Sequence, residues 1–458
     1  MLCVPMMAFR RIGLLGALAV SAGLIATPVY RIYLVTLGSL AQLAWLPWGF
    51  FDLLIDYRAG FVRRGLLGAI IHHLSGQGSQ LPITNRLVFA NFCIAVFALT
   101  SLAVLRKRNR IRNLILVLIV PGGLFAWGIT NQFFYRKEAL FLSFLAVTSL
   151  GFSLLRSWRS PSIRRLGAVI LIALILVAGP VLCLVHEGFL FLAAPANLIL
   201  LLAIVPYLSL RNPTRTPIIC RYVGAAYSVA IAATFLVECW FRGSAKLAQA
   251  IWQNLNPADR AMITAGGAVE GGVSTLSFGI FDALRMPFHV LISGLAWFWL
   301  VPILGLMIYC LTTVALDLDA NVGERIRNLQ CWSQMYAFLF LCVSPAFLIG
   351  WDWGRWIANL NLCFLVLWLA ISEDDLPQVA PFPKGWRIFS PDLGAAILAA
   401  CDSFLQRKRA WVIAALVIFA ITFRFPESTL QPIDTTYVLH DVAEAARALI
   451  RDLHTRAL

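Results

Sequence analysis

The sequence predicts an all-α fold: a polytopic transmembrane helical bundle of about eleven spans, with interfacial helices in its first external loop. Three observations carry that prediction. Of 458 residues, 60% are hydrophobic and 13% charged, roughly half the charged fraction of an ordinary soluble domain. Mean hydropathy is +0.82. The Lys and Arg residues fall in short runs between apolar segments, the pattern the positive-inside rule produces. That pattern accounts for the net charge of +15, so no nucleic-acid partner is expected. The ten cysteines include no C-x-x-C pair and read as small buried hydrophobes.

Apolar runs between charged breaks place helices near 12–30, 86–105, 113–129, 138–155, 166–185, 189–209, 222–240, 287–312, 331–350, 357–371 and 410–425. The first, after Arg10 and Arg11, reads as a signal-anchor span because no clear cleavage site follows it. Loop charge sets the orientation. Arg106, Lys107, Arg108, Arg110 and Arg112 crowd one loop, and Arg156, Arg159, Arg164 and Arg165 another. Arg211, Arg215 and Arg221 fill a third, and Arg407, Lys408 and Arg409 a fourth. With eleven spans these share a side with Arg10 and Arg11, and that side is cytoplasmic. A further span in the apolar stretch 33–55 would break this agreement, so that stretch reads as interfacial.

The organisation that follows is a main transmembrane domain over 1–371, with external loops at 31–85 and 241–286. A cytoplasmic linker covers 372–409, and 410–458 holds the last span and an external amphipathic tail. The expected location is the plasma membrane, as in a bacterial inner membrane. The N-terminus is then cytoplasmic and the C-terminus external.

Short external loops should be poor in basic residues, yet these are not. FDLLIDYRAGFVRRGLLG carries Asp52, Asp56, Arg58, Arg63 and Arg64. FYRKE brings Arg136, Lys137 and Glu138; LVHEGF brings His186 and Glu187; WDWGRW brings Asp352, Trp353 and Arg355. Ionisable groups at a membrane boundary are costly and usually face a cavity or a partner. The bland readings are specific too. Asp52 and Asp56 can pair locally with Arg58 or Arg63, Arg63 and Arg64 can snorkel to lipid phosphate, and the tryptophans can form an aromatic belt. Convergence of all these groups on one face points instead to a shared polar chamber. Arg58, Arg63, Arg64, Arg136 and Arg355 suit phosphate clamping. An aspartate or the His186–Glu187 pair suits a general base toward a sugar hydroxyl. Glycines 60, 65 and 68 permit close backbone approach. In the loop 241–286, the run GGAVEGG lacks the lysine of a nucleotide loop and reads as a linker or a sugar-contacting lid. DLDAN at 317–321 lacks the Gly and Glu of a calcium loop.

In layout the chain resembles the multi-spanning, lipid-carrier-dependent glycosyltransferases of the GT-C class. Both place a long acidic external loop after the first span and a large external loop after the seventh. It also resembles bacterial surface-polysaccharide polymerases of the Wzy and EpsG kind. The first resemblance implies an acidic base in the first loop, Asp56 foremost and Asp52 second. The second implies that RAGFVRRG, FYRKE, LVHEGF and DWGRW supply clamp and acid–base elements. Together they imply transfer from a polyprenyl-(di)phosphate-linked sugar or glycan at the external face. Membrane lipid is then the other partner. The sequence specifies no metal site and no cofactor, although a divalent metal is compatible with such chemistry, and it leaves oligomeric state open. The alternative is a transporter or flippase of a lipid-linked glycan or another anionic substrate, which favours paired halves and ionisable groups near mid-membrane.

Overall fold

The structure, a computed structural model, describes residues 51–106, 110–119, 123–124, 136–208, 216–261, 271–277, 285, 321–349, 352–372, 375–379 and 387–403. Among these residues the regular structure is helical throughout, with no strand. Six helices are long and apolar enough to cross a membrane, as in a multi-pass membrane protein. A short helix α1 (Gly65–Ser75) precedes the first of them, α2 (Leu81–Leu105). After α3 (Arg110–Ile119) come the candidate spans α4 (Glu138–Ser157) and α5 (Pro161–Val185). Two shorter pieces follow, α6 (Phe189–Leu192) and α7 (Ala194–Ile204), and then the candidate span α8 (Thr216–Trp240). Two short helices come next, α9 (Ala245–Asn254) and α10 (Pro257–Ala261). The last two candidate spans are α11 (Val322–Ile349) and α12 (Trp353–Ala370). The stretch 391–403 forms a further helix, α13.

The six long helices correspond to the runs expected near 86–105, 138–155, 166–185, 222–240, 331–350 and 357–371, most of them extended at the N-terminus. Helix starts take polar residues that a hydropathy window rejects. At α5, Pro161 occupies the first turn and Ser160 Oγ accepts the Ile163 backbone N–H. The run 189–209 behaves differently. It breaks at Ala193 and tightens into a 3-10 turn over Val205–Leu208, and its helices are shorter than a full span. Of the run 113–129, the helix Arg110–Ile119 is described. The runs 12–30, 287–312 and 410–425, the amphipathic tail, and residues 33–50 of the interfacial stretch lie outside the described residues. The stretch read as a linker carries α13. Ser390 Oγ caps it through the Leu393 N–H, and Arg325 of α11 grips Asp402 with two hydrogen bonds of 2.8 and 2.9 Å.

Helix α12 lies at the centre of the described bundle: every residue in it except Trp353 and Trp356 is buried. Its Phe364 meets Trp332 and Tyr336 of α11 edge-on, at centroid distances of 5.7 and 5.3 Å. Around the outside, apolar side chains point away from the protein. Phe97, Val177 and Leu236 are 68%, 68% and 66% exposed on α2, α5 and α8. Helices apolar on their outward faces as well as their inward ones match a lipid surround better than water.

Connectivity gives the bundle two chemically different ends. Arg106, after α2, and Arg156, near the end of α4, donate to the Ile371 and Ala370 carbonyls at 3.4 and 2.9 Å. These are the carbonyls that a helix C-terminus leaves unsatisfied, here at the end of α12. Arg106 also stacks over Trp368 at 4.4 Å, and Arg156 lies 3.5 Å from Asp375. At the opposite end α4 and α12 begin, and α5 and α8 finish. There a second set of charged residues collects.

Candidate functional site: a buried ion-pair network at one end of the bundle

The loop leading into α1 is held down by its apolar residues. Phe51, Leu53, Leu54 and Ile55 are buried, and the Phe51 ring lies 5.0 Å from that of Trp252 on α9. Two glycines let the backbone pack this tightly. A Cβ on Gly68 would collide with the Ile55 carbonyl, and one on Gly272 with the Asp52 backbone. The segment containing Gly272 is thereby pressed against Asp52. Arg63 fastens to the same region: its N–H donates to the Phe241 carbonyl at 3.0 Å, and its Nη2 to the Thr275 carbonyl at 2.9 Å.

Arg64 precedes α1 in the left-handed conformation, with φ 66°, which is unfavourable for a residue with a side chain. Its surroundings hold it there. The buried Lys137 ammonium donates to the Arg64 carbonyl at 2.8 Å. Arg64 grips Glu187 through Nη2–Oε1 at 2.5 Å and Nε–Oε2 at 2.8 Å. Arg63 reaches the same carboxylate at 3.4 Å. Asp52 completes the set, 3.4 Å from Arg64 and 3.8 Å from Lys137. Beside it Arg355 links Glu138 at 3.2 Å to Asp352 at 2.6 Å. Arg136 is half-buried immediately before Lys137, and Trp353 packs on Phe347 with centroids 5.5 Å apart.

The electrostatics follow from burial set against this pairing. Burial raises the Asp52 carboxyl, but Lys137 and Arg64 outweigh it and bring it to about 2. Burial likewise opposes ionisation of Glu187, and Arg64 overcomes it, leaving that carboxyl well below its ordinary range. Lys137 is pushed down to about 8 by burial, with Asp52 resisting. Burial and then Arg64 push His186 down to about 4. The imidazole is therefore neutral near pH 7, and its 3.7 Å approach to Glu187 is no ion pair. The Gly188 N–H donates to His186 Nδ1 at 2.8 Å. The ring proton thus sits on Nε2, which makes that nitrogen a hydrogen-bond donor.

Of the residues singled out in the sequence, Asp52, Arg63, Arg64, Lys137, His186 and Glu187 meet in one network, with Glu138, Asp352 and Arg355 in a second group that begins one residue along the chain at Glu138. Asp56 and Arg58 close on each other instead. The fully buried Asp56 accepts the Arg58 N–H at 3.0 Å and Nε at 2.7 Å, with Nη2 at 2.6 Å. That local pair is the bland reading of Asp56. The loop after α8 is packed down in its described part. Asp259 of α10 is buried and accepts Ser79 Oγ and, at 2.8 Å, the Gln80 N–H. Glu270 lies outside the described residues.

Sequence reading missed Glu238, which is fully buried near the end of α8. The signal was available, because a lone acidic residue inside an apolar run is a functional candidate by default. Among the described residues no group of three His, Cys, Asp or Glu side chains is placed to hold a metal ion. Comparison with protein-family models, curated proteins and solved structures returns no match.

Proposed function

We propose that this chain is an integral membrane glycosyltransferase or polysaccharide polymerase that uses polyprenyl-(di)phosphate-linked sugars at the external face. The observation that carries this reading is the meeting of Asp52, Arg64, Lys137 and Glu187, from three separated segments, at one end of an apolar bundle. A lipid-linked sugar presents its anionic head at that depth and its tail to the surrounding lipid. Arg63, Arg64, Lys137 and Arg355 would receive the phosphate by exchanging carboxylate oxygens for phosphate oxygens. The neutral His186 would donate from Nε2. Chemically, an acceptor hydroxyl attacks the anomeric carbon, the lipid phosphate leaves with the bonding pair, and the hydroxyl proton passes to a carboxylate. The ionised groups lie at helix ends rather than mid-membrane, which favours this reading over the transporter or flippase.

The test replaces Asp56, Arg64, Arg136, His186 and Arg355 with alanine singly and measures glycan length and lipid-linked intermediates at matched protein levels. Loss of polymer with accumulated single repeat units supports a polymerase, and missing sugars support a single-addition transferase. Full-length glycan in all five variants removes the proposal. Lipid-linked sugars trapped on the inner leaflet would replace it with a flippase.

A further inference from the structure

We propose that Glu238 is the general base of this chamber, taking the proton from the acceptor hydroxyl; the assignment rests on the transferase reading above. The carboxylates of the two ion-pair groups, and Asp56, are committed to cations. Asp56 is held by Arg58, Glu187 by Arg64 and Arg63, Asp52 by Arg64 and Lys137, and both Glu138 and Asp352 by Arg355. A carboxylate held in ion pairs gives up basicity with each one. Glu238 is fully buried, and neither of its oxygens has a hydrogen-bond partner. The Arg64 backbone lies near it.

Two further polar atoms nearby are in the same condition. Tyr57 Oη and Arg63 Nε are buried and without a hydrogen-bond partner, and Glu238 is close enough to act electrostatically on both residues and on Lys137. Buried polar groups in native structures are nearly always bonded, so each orphan calls for an explanation. Here a donor, an acceptor and a hydroxyl stand orphaned, the donor and the hydroxyl on residues within electrostatic reach of the acceptor. A polyhydroxyl ligand carries the donors and acceptors that these three atoms lack. Its hydroxyl donates to Glu238 while Arg63 Nε and Tyr57 Oη hold neighbouring oxygens. In the transfer step the new O–C1 bond forms as the C1–O bond to the lipid phosphate breaks. The hydroxyl proton moves to the Glu238 carboxylate, the phosphate keeps the electron pair, and the proton passes to water on product release.

Glu238→Gln keeps the size and removes the proton acceptor. Glu238→Asp keeps the carboxylate one methylene shorter. Both are expressed in cells lacking the native copy, where glycan output is measured, and binding of polyprenyl monophosphate to the purified full chain is measured by native mass spectrometry. The expected result is a fall in output of about 100-fold or more for Glu238→Gln, partial activity for Glu238→Asp, and unchanged probe binding in both. Full output from Glu238→Gln, in a strain whose deletion parent makes no glycan, overturns the base and leaves the transferase reading intact. Loss of probe binding together with output in both variants marks a structural role and also overturns it. A deletion strain with normal glycan removes the reading and the base together.

Discussion

Arg64 and Glu187, 123 positions apart, form a two-pronged ion pair with contacts of 2.5 and 2.8 Å, and it ties the first loop to the turn between α5 and α6. Both side chains are largely buried, so the pair is shielded from water. Breaking a buried pair from one side leaves an uncompensated charge. Arg64→Ala is expected to destabilise the protein by about 3–5 kcal/mol, read as unfolding in detergent. The Arg64→Ala, Glu187→Ala double variant should cost less than the sum of the single variants. Strict additivity would mean the pair is not coupled.

The approach of the segment at Gly272 to Asp52 leaves no room for a methyl group. Gly272→Ala should lower stability by about 1–3 kcal/mol. Gly224→Ala serves as the contrast, since a methyl there meets Leu198 and Leu202 at an ordinary 3.6 Å. In the middle of α8 that change should be neutral or stabilising. Equal thermal shifts for the two variants would contradict this packing.

His186 sets an acid limit. Its folded value of about 4 lies below the ordinary 6.5, so the unfolded chain binds the proton first. The stability from keeping the ring neutral is complete above pH 6.5 and is lost as pH falls toward 4. Lys137, lowered from 10.5 to about 8, acts at the other end of the scale, and stability should rise between pH 8 and 10.5. Unfolding temperatures measured from pH 4 to 7 should fall with acidity in the wild type. The slope should be shallower in His186→Gln, and an unchanged slope would contradict a buried neutral ring.

Sidedness has its own test. In a background with all ten cysteines replaced, Ser277→Cys marks the charged end and Arg159→Cys the basic end. Both positions are exposed. An impermeant thiol reagent applied to intact cells should label Ser277→Cys, and Arg159→Cys only after permeabilisation. The reverse pattern would put the chamber on the cytoplasmic side.

Hydropathy makes the long helices legible from the sequence, because a span is a one-dimensional signal. The break at Ala193 is harder to see, since α6 and α7 read as one apolar run. Charged positions such as Asp52 and Arg64 stand out against apolar neighbours, but their pairing is not local information. Asp56 finds Arg58 two residues away, whereas Arg64 finds Glu187 across 123. Nothing in the composition separates those outcomes. Glu238 was overlooked for the opposite reason: it sits within an apolar helix and belongs to no charged motif.

Asp52→Asn is the sharpest test of the proposal that this charged end consumes a lipid-linked sugar. The substitution keeps the shape and removes the charge between Arg64 and Lys137. Polyprenyl-linked sugars are extracted from cells in which this variant replaces the native chain at equal abundance, and surface glycan is measured alongside. The expected result is accumulation of unconsumed lipid-linked donor and a matching loss of glycan. Wild-type amounts of both would contradict it.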